Sequence, residues 1–436
     1  MALATLLLFL LFISTSTAVD PCSSSPPNAD GSELSILHLY SPCSPFAPAR
    51  RAPWLDTVLN MASKDPNRVT YLSSLVSTKT SVPTGPGLLV NQSANYVVQT
   101  KLGTPAQPMF MVFDTSSDEA WVPCSGCTGC GPAVFSPTTS STFQTLDCDT
   151  LHCTQVRGQS CPVTSTGPCY FNQSYGGDSS FSATLVQDSL WLSQDVVSNY
   201  AFGCVGAVAG GSIPKQGLLG FGRGPLSLVS QTGSLYNSVF SYCLPSFKSY
   251  YFSGSLKLGA ASQPKNIRTT PLLLNPHRPS LYYVNCTGIS VGKKPVALPV
   301  EHLAFNPTTG AGTVIDSGTV ITRFVEPIYA ALRDAYRSLL NGSITSLGAF
   351  DTCFDTALNP AAPPLTLHFA GLDMALPMEN TLIHSSATSL ACLAVASAPD
   401  NVNSVLNVIA NLQQQNHRIM FDVVNSRVGI ARELCN

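Results

Sequence analysis

Two stretches decide how this chain folds: Met109-Phe-Met-Val-Phe-Asp114-Thr115-Ser116-Ser117 and Thr313-Val-Ile-Asp316-Ser317-Gly318-Thr319. In each, an apolar strand runs straight into an aspartate and a hydroxyl residue. A second apolar segment follows, Ala120-Trp-Val122 in one case and Val320-Ile321 in the other. The two stretches lie about 200 residues apart, and about 100 residues beyond each aspartate comes another matched pair, Leu218-Leu-Gly220 and Val408-Ile-Ala410-Asn411. A pattern recurring at long range marks a duplicated architecture, so the chain reads as two related β lobes. Taken alone, an Asp-Thr or Asp-Ser pair is a turn or a helix cap. The repeat changes that reading, because an acid at the end of an apolar strand is costly to bury unless it is hydrogen-bonded. One such acid in each of two lobes implies that they face each other across the interface. Two carboxyls brought within about 3 Å cannot both ionise and share one proton. Such a pair can take a proton from water with one oxygen while giving one to a substrate carbonyl with another.

Working outward, the text from Tyr96 consists of short apolar runs broken by turn residues, as in Tyr96-Val-Val-Gln-Thr-Lys-Leu-Gly-Thr-Pro105, which reads as strand then turn. A chain of 436 residues can bury a core in each lobe. Its charged fraction is only 11%, against roughly 25% in ordinary soluble proteins. Ile328, Leu332, Ala335, Tyr336 and Leu339 are spaced for one amphipathic helix between Glu326 and Leu340. Before Tyr96, a helical-looking piece runs from Trp54 to Met61 within a Pro- and Arg-containing region. The expected divisions are a signal peptide at 1–18, a propeptide at 19–80, an N-terminal lobe at 81–275 and a C-terminal lobe at 276–436, with the lobe boundary near Pro271 to Ser280. The alternative for 19–80 is a disordered extension without a regulatory role.

The apolar run Leu6 to Ile13 is followed by small residues at Ser16 and Ala18, as signal peptidase requires. It falls short of the about 20 apolar residues that span a bilayer. The C-terminal Glu433-Leu-Cys-Asn436 is neither a retention signal nor a lipid-anchor tail, so the expected product is exported and carries no membrane anchor. Fifteen cysteines fit an oxidising route, and the sequons at Asn91, Asn172, Asn285 and Asn341 agree with it. A net charge of −2 offers no broad positive field for phosphates, which argues against nucleic acid as a partner. Cys124-x-x-Cys127-x-x-Cys130 lacks a convincing fourth ligand, so disulfides are expected there and no metal. Gly220-Phe-Gly-Arg-Gly224 lacks the third glycine of a dinucleotide fingerprint and reads as a structural loop. No Gly-x-Ser-x-Gly or His-Glu-x-x-His motif is present, which removes the most direct serine-hydrolase and zinc-protease readings.

Together these motifs resemble the pepsin-like aspartic peptidase family, and within it the plant nepenthesin-like and nucellin-like branch. Asp114-Thr-Ser-Ser-Asp118 and Asn407-Val-Ile-Ala-Asn-Leu-Gln-Gln-Gln-Asn-His417 are most similar to apoplastic aspartyl peptidases related to a chloroplast nucleoid-associated protease. The resemblance runs from Tyr96 to Asn436. It implies a mainly all-β, bilobal acid-protease fold with the active site in the cleft between lobes, no cofactor, protein or peptide substrates, a monomer, activity at acidic pH, and secretion to the apoplast rather than to vacuole or plastid. It makes Asp114 and Asp316 the catalytic pair, and gives Thr115 and Ser317 the hydroxyls that lock the two active loops together. Ser117 and Thr319 then bond the outer carboxylate oxygens, and Gly318 completes the second loop. Tyr175 and Gly176 belong to the flap that closes over substrate, with Trp121 as the tyrosine's partner.

Two departures stand out: Ser116 and Ala410 occupy positions where the family usually has glycine, a residue suited to tight turns and close backbone approach. Ser116 either crowds the Asp114 carboxylate or adds a hydrogen bond to it. The resemblance also implies six cysteine pairs: Cys124 with Cys127, Cys130 with Cys204, Cys148 with Cys169, Cys153 with Cys161, Cys243 with Cys435 and Cys353 with Cys392. Cys286 is left as a buried free thiol. The rival reading on the same scaffold is a catalytically weak or inactive binding protein that inhibits cell-wall-degrading enzymes.

Overall fold

The computed structural model describes residues 22, 32–49, 52–76, 96–162, 166–174, 179–210, 213–246, 254–276, 278–399 and 404–435. The leader, the sequon at Asn91 and the flap residues Tyr175 and Gly176 lie outside them. Most of the described elements are strands, gathered into a 20-stranded sheet system and two 4-stranded sheets. Where one face of a strand meets the core, burial alternates along it, as in Gly254–Leu258 and Leu365–Phe369. The strands that carry the two acids are instead buried on both faces, and they read as unbroken apolar runs for that reason.

The duplication seen in the sequence is structural. Strand Gln107–Asp114 pairs in parallel with Leu218–Gly220, which places Asp114 opposite Gly220. In the second lobe Gly312–Ile315 pairs in parallel with Leu406–Ile409, which places Ile315 opposite Ile409. Each acid therefore leaves the end of a strand whose parallel partner is the matched feature about 100 residues further on. At Gly220 a side chain would meet the carbonyl oxygens of Glu119 and Ser117 at 2.5 and 2.6 Å, so the residue there has to be glycine. The counterpart position accepts Ala410, which is fully buried and whose N–H donates to the Thr322 hydroxyl at 3.0 Å.

A shared sheet joins the lobes. Val239–Cys243 pairs with His417–Asp422, which pairs with Arg427–Arg432, which in turn pairs with Arg268–Leu273. Beneath it Phe113, Phe221, Phe240, Tyr242, Tyr282 and Phe421 form one aromatic cluster, with Phe240 stacked on Phe421 at 5.0 Å and Tyr282 at 4.2 Å from Phe421. Cys243–Cys435 closes the end of this sheet.

Residues of the expected propeptide are built into the same framework. Strand Ser32–His38 lies between Gly254–Leu258 and Tyr96–Leu102, antiparallel to both. Two helices follow, Trp54–Ala62, which covers the helical piece expected from sequence, and Asp65–Val76. The second-lobe helix runs Glu326–Arg337 and buries Ile328, Tyr329, Leu332 and Tyr336. It stops short of Leu340: the Ser338 N–H closes it onto Asp334, and Leu339 beyond the end is exposed.

Four of the expected cysteine pairs are rearranged. Cys124 bonds Cys204 and Cys127 bonds Cys130, because the Trp121–Thr128 and Asp195–Ala209 strands are parallel neighbours that set Val122 opposite Cys204. Cys148 bonds Cys161 and Cys153 bonds Cys169. The two fully buried thiols of that group, Cys153 and Cys169, pair in the core and leave the two outer ones to each other. The other two pairs form as expected. Cys243 bonds Cys435, and Cys353 bonds Cys392, the latter two standing directly opposite each other on the antiparallel strands Phe350–Asp355 and Leu390–Leu393. Cys22–Cys43 adds a bridge within the N-terminal region that the resemblance did not supply. Cys286 is free and buried, and burial pushes its thiol up to about 12.

Phe421→Ala should remove the centre of the aromatic cluster and destabilise the chain by about 3–5 kcal/mol. Urea unfolding at neutral pH, read against wild type, measures this.

Candidate active site

The two acid loops repeat each other in their contacts. The Thr115 N–H donates to the Ser317 hydroxyl at 3.1 Å and the Ser317 N–H donates to the Thr115 hydroxyl at 3.0 Å, a reciprocal bridge between lobes with every partner buried. On the outer side, the Ser117 hydroxyl donates to Asp114 Oδ2 at 2.8 Å and the Thr319 hydroxyl donates to Asp316 Oδ2 at 2.5 Å. The floor is held by backbone bonds from the paired strands: Phe221 N–H to Asp114 O at 2.8 Å in one lobe, Asp316 N–H to Ile409 O at 3.0 Å in the other. Asn411 and Gln414 side chains add donors to Ser317 O and Asp316 O at 2.9 and 3.1 Å. Gly222 and Gly224 of the glycine-rich loop leave room for the Asp118 carboxylate, which a side chain at either position would strike. The loop is structural, as its sequence suggested.

The carboxylates of Asp114 and Asp316 are fully buried, and both converge on Arg68 from helix Asp65–Val76. Arg68 Nη2 lies 2.7 Å from Asp114 Oδ1 and 3.0 Å from Asp316 Oδ1. Nη1 donates to Asp114 Oδ2 at 2.9 Å and Nε to Asp316 Oδ2 at 3.3 Å. Burial by itself would push the Asp114 carboxyl up. The Arg68 charge and hydrogen bonds, with the Ser116 N–H and the Ser117 hydroxyl, outweigh burial and hold it below the ordinary carboxylate range. Burial likewise works against the Arg68 charge, and the two aspartates reverse that effect and push it well above its usual value. Two buried carboxylates that would repel each other thus share one compensating cation, and removing one member of such a cluster typically costs about 3–5 kcal/mol.

Ser116 does not crowd the carboxylate. Its N–H and hydroxyl donate to Asp114 Oδ1 at 2.9 and 3.0 Å, and its oxygen accepts a short bond from Arg68 Nη2. Thr115 and Ser317 bridge the two loops, Ser117 and Thr319 bond the carboxylates, and Gly318 lies directly under the guanidinium. Trp121 is 2% exposed and packs at 4.8 Å against Phe181. Arg68 and Asp65 were missed. Asp65 accepts from the Val320 and Ile321 N–H groups at 2.9 and 2.8 Å, which pins the start of the helix to the second lobe. The signal available was an Asp and an Arg three apart on the helix face that also carries Val69 and Leu72, where charge is out of place unless it has a buried partner.

On the Asp114 side the cleft continues between Tyr71, Ser117, Asp118, Glu119, Trp121 and Ser280. Burial holds Asp118 and Glu119 above the usual carboxylate range, Glu119 also through the neighbouring Asp118 charge, while Ser280 and the Gly224 N–H partly offset the shift at Asp118. Cys148, Cys153 and Cys161 come together in space but are committed to disulfides.

Two family descriptions match the chain in succession, Xylanase inhibitor N-terminal over residues 96–260 and Xylanase inhibitor C-terminal over 281–432. Aspartyl protease AED3 of Arabidopsis thaliana is 59% identical across 99% of this chain and 98% of its own length, and Aspartyl protease 25 of Oryza sativa subsp. japonica is 51% identical across 93% and 95%. The chain belongs to the plant pepsin-like aspartic endopeptidases. Nepenthesin-1 of Nepenthes gracilis, an aspartic proteinase, is 34% identical over 82% of the chain and 80% of its own length. Among solved structures, conglutin gamma from lupine seeds superposes with a TM-score of 0.61 at 19% identity over 77% of this chain and 90% of that one, a likeness of fold. No described helix is long and apolar enough to cross a membrane.

Ser317→Ala leaves the buried Thr115 N–H without its acceptor, which costs about 1–3 kcal/mol. The expected result is a lower melting temperature, with Ser317→Thr close to wild type because it keeps the hydroxyl.

Proposed function

We propose that this chain is an exported aspartic endopeptidase made in a latent form, which hydrolyses extended protein segments at acidic pH with a water activated between Asp114 and Asp316. The observation that carries the reading is the convergence of two buried carboxylates, one from each lobe and each steadied by its own hydroxyl, on a single guanidinium nitrogen. With Arg68 withdrawn, the same two groups face an incoming carbonyl. Like charges so close keep one proton between them. The ionised carboxylate removes a proton from water as its oxygen bonds to the scissile carbonyl carbon, while the protonated partner gives its hydrogen to the carbonyl oxygen. Collapse of the tetrahedral adduct returns that proton to the pair, and the leaving nitrogen departs as an amine after taking one. Ser117 and Thr319 keep the outer oxygens oriented, the Thr115–Ser317 bridge fixes the spacing of the loops, and Tyr175 and Gly176 close over the substrate.

Residues 19–80 act as the propeptide in this reading, with Arg68 as the plug and Asp65 as the anchor. The sign of the pH effect follows from the lowered Asp114 carboxyl. Its stabilisation is fully present above the ordinary value of 3.8 and is lost as pH falls through the lower value of the latent form. The other charged groups about the cleft are Asp316, Asp118, Glu119 and Arg157. The latent state therefore holds at neutral pH and loosens below about pH 4. Export to the apoplast, four glycosylation sites and a monomeric state belong to the same proposal. The described sequons sit in accessible places, Asn172 and Asn341 being exposed and Asn285 half-buried.

The second reading, a binding protein without catalysis, is not favoured: although the matching family descriptions read xylanase inhibitor, the relatives that match over nearly the whole chain are named aspartyl proteases. The intact dyad and both loop hydroxyls speak for the enzyme.

The full chain, purified at neutral pH, should be inactive on a denatured protein and become active after acidification to roughly pH 3 to 5. A statine-type inhibitor should block that activity. Asp114→Asn should lower it by about a thousandfold, and undiminished activity in that variant would end the proposal.

A further inference from the structure

We propose that the floor of the cleft is a guanidinium seat, in which Ser116 and Gly318 make arginine, rather than lysine, the residue that holds the chain latent. This rests on the reading of the cleft as a peptidase site closed by its own N-terminal segment. Both active loops carry a hydroxyl residue at the first and third positions after the aspartate and differ in kind only between them, serine at 116 and glycine at 318, and Arg68 uses both sides of that asymmetry. On the Gly318 side a Cβ would come within 2.4 Å of Nη2 and 2.7 Å of Cζ, so a flat group can lie against the backbone there and nothing larger fits beneath it. On the Ser116 side the single hydroxyl hydrogen is committed to Asp114 Oδ1 at 3.0 Å, which leaves only acceptor capacity facing the cleft, and Arg68 Nη2 donates to it.

The seat thus offers four carboxylate oxygens and one hydroxyl oxygen. All five contacts are taken from Nε, Nη1 and Nη2 of one guanidinium. A guanidinium presents five N–H donors in a fixed fork. A lysine stem ends one bond earlier, at the place of Cζ, so its ammonium, a point with three donors, stops short of the position from which Nη2 meets Asp114 Oδ1, Asp316 Oδ1 and Ser116 together, and it forgoes the Nη1 and Nε contacts to the two Oδ2 oxygens. The helix delivers the group in register, because Asp65, one turn earlier, is already fixed on the Val320 and Ile321 N–H groups. The departure from glycine at residue 116 is on this account a recognition element for the chain's own residues 65–76.

The test compares arginine-bearing and lysine-bearing inhibitors against residue 116. Synthetic peptides covering residues 54–76, either with the native Arg68 or with the R68K substitution, are titrated against enzyme obtained by acid activation of the full chain, as wild type, Ser116→Gly and Ser116→Ala. The expected result is an inhibition constant raised about tenfold or more by lysine against wild type, and a ratio of about threefold or less against both variants. The same ratio in all three enzymes would overturn the proposal, as would a lysine peptide equal to the arginine peptide against wild type. In parallel, melting temperatures of the full-length chain at pH 7 are compared for wild type, R68K, S116G and the double variant. R68K should lower the melting temperature by about 3 °C or more in the Ser116 background and by clearly less in S116G; strictly additive shifts overturn the seat. The melting comparison needs no turnover. A chain that never gains acid-dependent proteolysis but shows the non-additive shift would sink the peptidase reading and leave the seat standing.

Discussion

Two negative charges buried within reach of one another are the constraint around which this molecule is arranged. Left alone, Asp114 and Asp316 would oppose folding, since burial and mutual repulsion both disfavour a doubly ionised pair. The structure answers with a cation from outside the lobes and with hydroxyl and backbone donors within them. Everything next to the pair serves to hold that geometry: the reciprocal Thr115–Ser317 bridge, the parallel strands behind each loop, and the aromatic cluster under the sheet that joins the lobes. The chemistry proposed for the open form uses the same frustration, with a proton in place of the guanidinium.

The duplicated loops were legible because a pair of acids contributed by two related lobes has to be written twice. Apolar strand, acid, hydroxyl and return strand recur in order, and each of those elements is buried where the order says it should be. The loop Gly220 to Gly224 could be read as structural because it lacks the third glycine of a dinucleotide fingerprint, and in the fold the backbone carbonyls of Ser117 and Glu119 leave no space for a side chain at 220. The helix after Asp316 was legible from its spacing, although its end was not: Leu339 continues the apolar rhythm, but the chain has already turned at Ser338.

What stayed hidden depends on contacts between distant parts of the chain. Cys124, Cys127 and Cys130 are equally spaced, so nothing local shows that only Cys124 lies beside the strand carrying Cys204. The choice between Cys161 and Cys169 as partner of Cys153 was settled by burial, which sequence does not display. Cys353 and Cys392 posed no such choice, having no other cysteine in the second lobe's neighbouring strands to compete for them among the described residues. Arg68 shares a helix face with Val69 and Leu72, which hints at a buried partner without naming it. Only the folded cleft shows that it sits between two acids whose numbers differ from its own by 46 and 248. Ser116 could be recognised as a departure from the family, but its partner could not be guessed while the N-terminal region was read as separate from the site.

Strand Ser32–His38 sits between two others as a full member of the large sheet. If that strand leaves with the rest of the N-terminal region, two rows of backbone donors and acceptors, on Tyr96–Leu102 and Gly254–Leu258, lose their partners together. Unpaired edges of this kind invite association with other chains. On that condition the strand would also be scaffolding, with its two neighbours assembled around it, and another length of polypeptide would have to fill the vacated slot to keep both edges paired.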